Sequence, residues 1–540
     1  MKRNHVVLLC ACCLLACAPE KTPTVDPDDG NRAPVKPEIT SYQITVHQGG
    51  QRLVLRGGID QEGKRVALVA PSNQRRVNDV DSAIAEFAVS SSVAEVQVNG
   101  VAQTSGVTPN DFRRDFAYSL ISKEGDTTVY ALETFASPQT TGLPVFYVDT
   151  RGVAITNKTD YVHCTLAVAD PADPNNDKKI ALTGDGIRLR GNTTMNYDKK
   201  PYRLKFDKKE DFFSLGKAKS WVLLANYLDP TLLANSVAFE LGRRFAAQRQ
   251  GDKPFVNSVN HVELFINDEY AGSYLFTEQV QVNEYRVNID EDAGYLLELD
   301  SYYDEDNKFK VNMLPGGAEN TRLPVNIQSP EDDAGANALP AIRADVELLV
   351  SRLTNNLQLD RPDDRYRDLI NMTSTVDFLI INEIVGNQEL QHPKSTYMYK
   401  DAGDPWSFGP LWDFDWAFGY AESGFTYFVD NKTTRFLFNA STNFRGDPRA
   451  GNIFFALFFR DPRFREAYKA RWNEMKPHFS TIADFIGEMG NKLARSAAQN
   501  KIRWNMHYSS INYASEIAKM KAYMTTRINY LDGAINSSAW

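Results

Sequence analysis

The stretch "GPLWDFDWAFGY", Gly409 to Tyr420, sets two carboxylates, Asp413 and Asp415, two residues apart among five aromatic rings. Read as an extended segment, residues i and i+2 share a face, so both acids project one way and Trp412, Phe414 and Trp416 the other. Such a pair repels itself unless a cation, an arginine or a shared proton neutralises it. A divalent ion held by one or two carboxylates together with substrate phosphates is one common solution. The competing reading is an aromatic strand that ends at water, with its acids capping a turn.

Around this stretch, 540 residues with 42% hydrophobic and 11% aromatic content suffice for two or three domains. The formal charge is -9, from 60 Lys+Arg against 69 Asp+Glu with the signs interspersed. That balance lacks the basic field of a nucleic-acid binder, and no nucleic-acid partner is expected. At the start, "MKRNHVVLLCACCLLAC" puts Lys2 and Arg3 before an apolar run, Val6 to Ala16, too short to span a bilayer. Residues 1–17 read as a secretion signal, and "LLAC" resembles the bacterial lipobox, which makes Cys17 the expected lipidation site. Of the five cysteines only Cys164 then remains beside it, so neither an internal disulfide nor a cysteine-built zinc site is expected. Residues 18–37, rich in Pro, Asp and Lys, read as a disordered tether.

Residues 38–136 alternate in short runs such as "SYQITVHQ", "RVALVAP" and "TVYALETF", the pattern of an Ig-like β-sandwich. "SPQTTG", Ser137 to Gly142, is the expected boundary. From Leu143 to about Asp300 the chain is again strand-rich, interrupted by a helix expected to open on Asp229 as N-cap with Pro230 first, Leu233, Val237 and Leu241 following at four-residue steps. The remainder is mainly helical. "TSTVDFLIINEIVGN" offers Ser374 and Asp377 as a capping pair and closes on "GN", and the C-terminal segments read as amphipathic core-covering helices. The fold class is α+β.

Three pieces then line up in order: "RLRGNTTMNYDKKPYRLKF", "VELFINDEYAGSYLFTEQV" and "GNQELQHPKSTYMYKD" followed by "GPLWDFDWAFGY", with "WVLLANYLDPT" between the first two. Together they resemble the spore-coat protein H (CotH) kinase-like family, over 143–540. The lipobox and sandwich ahead of them resemble the arrangement of secreted lipoproteins of Bacteroidetes-type bacteria. The resemblance implies an atypical two-lobed protein-kinase-like domain with a strand-rich N-lobe and a helical C-lobe. It implies transfer of a phosphoryl group from ATP, with Mg²⁺ or Mn²⁺, to a protein hydroxyl, at the cell envelope and on the outer membrane through the lipid anchor.

The same resemblance assigns roles. The backbone N–H groups of Gly191 to Thr194, Asn192 among them, make a phosphate cradle with Lys200 or Lys205 as its lysine, and Arg190 is a further cation candidate. Period two sets Arg203 and Lys205 on one face and Tyr202, Leu204 and Phe206 on the other, leaving Lys200 unplaced. Glu278 is the carboxylate for a lysine–glutamate pair, unless it bonds the linker backbone, and Glu298 is the second choice. Glu389 stands where the family carries its catalytic aspartate, one methylene longer, with two extra residues and Pro393 before Ser395. His392 reads as a polar loop histidine. Asp413 is the primary metal ligand and a catalytic residue, Asp415 the second ligand and Asn387 an auxiliary. The change to Glu389 also leaves room for a non-catalytic surface module that binds a glycan or a protein partner, or for a metal-dependent hydrolase or transferase on the same cleft.

Overall fold

In the computed structural model the residues described are 35–71, 74–251, 253–314, 316–355, 364–423, 425–442, 446–504 and 512–537. Cys17, the signal segment and nearly all of the expected tether lie outside them.

Alternation in Ile39–Gln48 sends Tyr42, Ile44 and Val46 inward, and the neighbouring strands obey the same rule. One hydrogen-bonded path runs through Val101–Ala102, Val93–Val98, Phe116–Ser122, Thr127–Glu133, Arg65–Leu68, Gln51–Asp60, Ile39–Gln48, Ala83–Val89 and Pro109–Asn110. It folds around a core that contains Tyr118, Leu120 and Tyr130. Within the polar "SPQTTG" at the expected boundary, residues Ser137 to Thr141 are buried. Gln139 accepts from the Val77 N–H at 2.5 Å and donates to the Tyr147 hydroxyl at 2.8 Å. The Arg76 guanidinium lies 3.8 Å from the centroid of the Tyr147 ring. These contacts join the N-terminal strands to the strand that carries Tyr147.

That strand, Val145–Asp149, opens a closed barrel, which continues in the order Val162–Ala169, Lys178–Leu189, Tyr202–Glu210, Ala218–Leu224, Glu269–Glu278, Asn260–Ile266. Asn260–Ile266 closes the ring by pairing parallel to Val145–Asp149. Asn267 and Asp268, both with positive φ, make the two-residue hairpin before Glu269. Phe146, Leu166, Leu204, Trp221 and Phe276 fill the interior, Trp221 and Phe276 stacked at 5.2 Å, so the barrel encloses a packed core.

The helix inserted between barrel strands spans Ala234–Ala247 and starts four residues later than the expected Pro230. Leu232 takes φ 59, which no helix continues through. Asp229 still caps the turn, accepting the N–H groups of Thr231 (2.8 Å) and Ala234 (2.7 Å). A second sheet, ordered Lys308–Asn312, Arg322–Ser329, Tyr295–Leu299, Thr396–Lys400, Ser407–Phe408, packs beneath helices Asp332–Asn355, Met372–Val385 and Ala450–Phe458. Helices Pro462–Phe479, Ile482–Arg503 and Tyr513–Ser537 complete the α+β fold. In Met372–Val385 the N-cap is Asn371, which accepts from Ser374 N–H at 3.0 Å, rather than a Ser374–Asp377 pair. Asp377 is instead taken up by Arg249 (3.0 Å) and Arg471 (2.7 Å). Gly386, φ 66, ends that helix in the left-handed conformation a C-terminal glycine allows.

Candidate active site

A cleft of about 270 Å³ opens between the barrel and the second sheet. The barrel contributes Arg188, Arg190 and the turn after them, Arg203 and Leu224 to Leu228. The opposite wall comes from Glu298 and Asp300, from Glu389 to Tyr397, and from Trp412 to Trp416. Of the residues expected at a site, Arg190, Gly191, Asn192, Glu389, Asp413 and Asp415 line this cleft together, with Glu298 beside them.

Asp413 has φ 56, so its segment is not a strand and its side chains do not alternate. Trp412 and Trp416 therefore line the cleft with both acids instead of turning away from them. Phe414 is turned into the core, edge-on to Phe239, on which Trp412 also stacks from the cleft wall. Asn235, in the first turn of helix Ala234–Ala247, fixes the segment: it accepts from Phe414 N–H at 3.1 Å and donates to Asp415 Oδ1 at 3.4 Å. Asn387 sits behind this segment. Its amide donates to Asn382 (3.1 Å) and to the Asp413 carbonyl (3.4 Å), and its Oδ1 accepts from Glu389 N–H, so it braces the acids from behind.

Neither lysine nor Glu278 reaches the cleft. Lys200 donates to the Met195 carbonyl at 2.8 Å, within its own turn. Lys205 pairs with Asp185 at 3.2 Å. It shares a strand face with Arg203, but it lies two residues further along the strand, a displacement of about 6–7 Å. Glu278 accepts from Ser258 N–H and Oγ, both at 2.9 Å, and from Thr277 Oγ1 at 2.8 Å, which are neutral donors from the linker and the strand end. His392 is held by Arg449 at 2.8 Å, and burial, followed by that guanidinium, pushes its pKa down to about 4.

Arginines stand where lysines were expected. Arg188 is directly opposite Arg203 in the antiparallel pair, and Arg190 comes two residues later with its guanidinium 5.3 Å from the Trp412 ring. Like charges directly opposite in a ladder are destabilising. Burial, and then Arg188 among its neighbours, lowers the Arg203 pKa, while burial lowers that of Arg190 against the pull of Asp413. Arg188 Nε and Arg203 Nε are buried without an acceptor. The i, i+2 spacing of Arg188 and Arg190 in "GIRLRGN" carried that signal, whereas the Arg188–Arg203 register is a fact of pairing.

Across the cleft the charges are negative. Burial first, then Asp413, raises Asp415 to about 8. The same two causes hold Glu389 well above the usual carboxylate range, and its Oε2 is buried with no donor. Glu298 is raised by burial and by Asp300. Lys394 lies between the Tyr302 and Trp416 rings, 4.9 and 4.6 Å from their centroids. Arg203 does donate from Nη2 to Ser220 Oγ at 3.0 Å and Arg188 lies 4.9 Å from the Tyr161 ring centroid, but with both Nε–H groups unmet the cleft sets a guanidinium wall against a carboxylate wall, an arrangement suited to a ligand that carries both an anion and a cation.

Such a cleft between a closed barrel and a helix-covered sheet defines an α+β protein whose cleft sets an arginine-bearing wall against a carboxylate-bearing one. The family model described as CotH kinase protein matches residues 187–531, more than half of the chain and every arginine and acid named above for the cleft. The chain belongs to the CotH kinase family. Among solved structures, a Bacteroides fragilis protein aligns at 17% identity over 18% of this chain and 93% of the other, with a TM-score of 0.14, a value that says nothing of the fold. No curated protein matches.

Proposed function

We propose that the cleft is a phosphotransferase site that takes ATP with Mg²⁺ or Mn²⁺ and moves the γ-phosphoryl group to a protein hydroxyl, the barrel and the helical half acting as the two lobes of a kinase-like domain. The observation that carries this reading is Arg188 facing Arg203 in a desolvated ladder, with their Nε–H groups unpaired. A polyphosphate relieves that repulsion and accepts those donors, and planar guanidinium groups match phosphate geometry. Gly191 at φ 81 gives the neighbouring turn its path, since a Cβ there would meet Thr194 Oγ1 at 2.3 Å.

The acids suit a divalent ion. Among the described residues no three His, Cys, Asp or Glu side chains form a ready-made cage, but Asp413 and Asp415 supply two carboxylates, which is what a Mg²⁺ completed by phosphate oxygens and water requires. Bound there, the ion would neutralise the phosphate oxygens and the acidic wall together. In the transfer, the bond from the γ-phosphorus to the β–γ bridging oxygen breaks as the bond to the acceptor oxygen forms. The acceptor's proton passes to a cleft carboxylate, and ADP leaves. Glu389 lies beside Asp413 in the same carboxylate wall.

A non-catalytic module for a glycan or protein partner is the second reading. It is favoured by Glu389 in the catalytic position and by the stacked Tyr197 and Tyr227 rings, 5.0 Å apart in the cleft wall. Calorimetric titration with Mg²⁺–ATP separates the two. Binding by the wild type, weakened about 30-fold or more by Arg203→Ala, is expected for a charge-assisted contact worth roughly 2 kcal/mol or more. No heat from any Mg²⁺–nucleotide would refute the phosphotransferase reading. The lipid anchor at Cys17 and a place on the outer membrane belong to the same proposal. No helix among the described residues is long and apolar enough to cross a membrane.

A further inference from the structure

We propose that Asp300, at the end of strand Tyr295–Leu299, is the carboxylate that takes the acceptor's hydroxyl proton, a role that rests on the phosphotransferase reading above. Its side chain lines the cleft and is 6% exposed. Oδ1 accepts from Tyr302 N–H at 2.7 Å and Oδ2 from Ser395 N–H at 3.0 Å. Two backbone donors from separate segments fix its orientation, and a carboxylate with about four acceptor positions has two left.

Ser395 is also the link to the metal-side acid, because its hydroxyl donates to Asp413 Oδ2 at 3.5 Å. One serine therefore separates the proposed proton acceptor from the carboxylate assigned to the phosphate end. Ser395 and Asp413 both hold left-handed backbone, φ 46 and 56, which costs a non-glycine residue energy and survives where the surroundings require it. The other cleft acids suit the step less well. Burial and their acidic neighbours, Asp413 and Asp300 respectively, push Glu389 and Glu298 well above the usual carboxylate range, which favours their neutral forms over the ionised form a base needs. Asp300 is raised only to about 6: burial and Asp304 push it up, while the Tyr302 and Ser395 N–H groups and Lys394 hold it down. The charged groups that face it are Glu298 and Asp304 from its own strand and loop, and Lys394 and Glu389 from the opposite segment. An acid poised just below neutral pH is ionised yet basic enough to accept a proton in the transition state. In that step the acceptor oxygen bonds to the γ-phosphorus, the bridging P–O bond breaks, ADP departs with the bond electrons, and the hydroxyl proton ends on Asp300.

The test uses the full chain with γ-labelled ATP and Mg²⁺, tracking label onto the protein's own hydroxyls and onto water, beside calorimetric ATP binding. Asp300→Asn is expected to lower turnover by about 10²- to 10⁴-fold. ATP affinity should stay within about threefold, and the acidic limb of the rate near pH 6 should disappear. Asp300→Glu, which restores a carboxylate, should recover part of the rate even if Asp300→Asn folds poorly. Glu389→Gln should slow transfer but keep the acidic limb. Wild-type turnover in Asp300→Asn, or an acidic limb lost in Glu389→Gln and kept in Asp300→Asn, would overturn the proposal and leave the phosphotransferase reading standing. ATP bound without any label transfer overturns it too, whereas no ATP binding by the wild type overturns the phosphotransferase reading itself.

Discussion

Replacing Asp415 by Asn should stabilise the ligand-free protein while impairing its ligand response. Asp415 ionises near 3.8 when solvated and at about 8 in the folded cleft. Because the folded value is the higher one, the unfolded chain loses its proton first. Stability is then full below the unfolded value and is lost as pH rises from about 4 through about 8. At 1.36 kcal/mol per tenfold, the ceiling on that loss is about 5–6 kcal/mol. The side chain is half-buried beside an open cleft, and water and the Asn235 amide share the charge, so about 2–3 kcal/mol is the working figure. Asp415→Asn removes the ionisation and keeps an oxygen for Asn235. Its melting temperature should exceed that of wild type by about 2–4 °C at pH 8 and by little below about pH 4. Added Mg²⁺–ATP should raise the wild-type melting temperature and barely move the variant's. A differential scanning series at four or five pH values reads both effects. A variant that melts at or below wild type at pH 8, or whose advantage is the same at every pH, would refute the account of Asp415 as an unneutralised acid.

Lys205→Ala and Glu278→Gln should each leave Mg²⁺–ATP affinity within about twofold, because Lys205 pairs with Asp185 and Glu278 serves Ser258 and Thr277; a tenfold loss in either would return that residue to the site. Arg527→Met should cost about 3–5 kcal/mol in denaturant unfolding, since it strands the buried Glu383 carboxylate 2.6 Å away and removes the donor to the Lys432, Thr433 and Arg435 carbonyls. A loss under 1 kcal/mol would show that water reaches Glu383. Cys17→Ser should abolish incorporation of labelled fatty acid and free the protein from membranes, and label retained in the variant would rule out the lipobox reading.

Local patterns in the sequence determined much of this protein. Period-two alternation placed Tyr42, Ile44 and Val46 inward, Gly386 marked the end of a helix, and the ordered blocks around "RLRGN" and "WDFDW" pointed to the family. These signals act through backbone geometry and neighbouring side chains, so a linear reading reaches them. Tertiary structure decided the rest, because pairing and left-handed backbone are not written in periodicity. Strand register set Arg188 against Arg203, and left-handed φ at Asp413 turned two tryptophans toward the cleft with the acids. The fold brought Asp300 within one serine of Asp413, 113 positions further along the chain. It also buried Ser137 to Thr141 of "SPQTTG", the polar run that marks the expected boundary, with Gln139 bonded to Tyr147. Which polar side chain meets a ligand and which is taken up by its neighbours depends on partners distant in sequence, and only the folded chain supplies them.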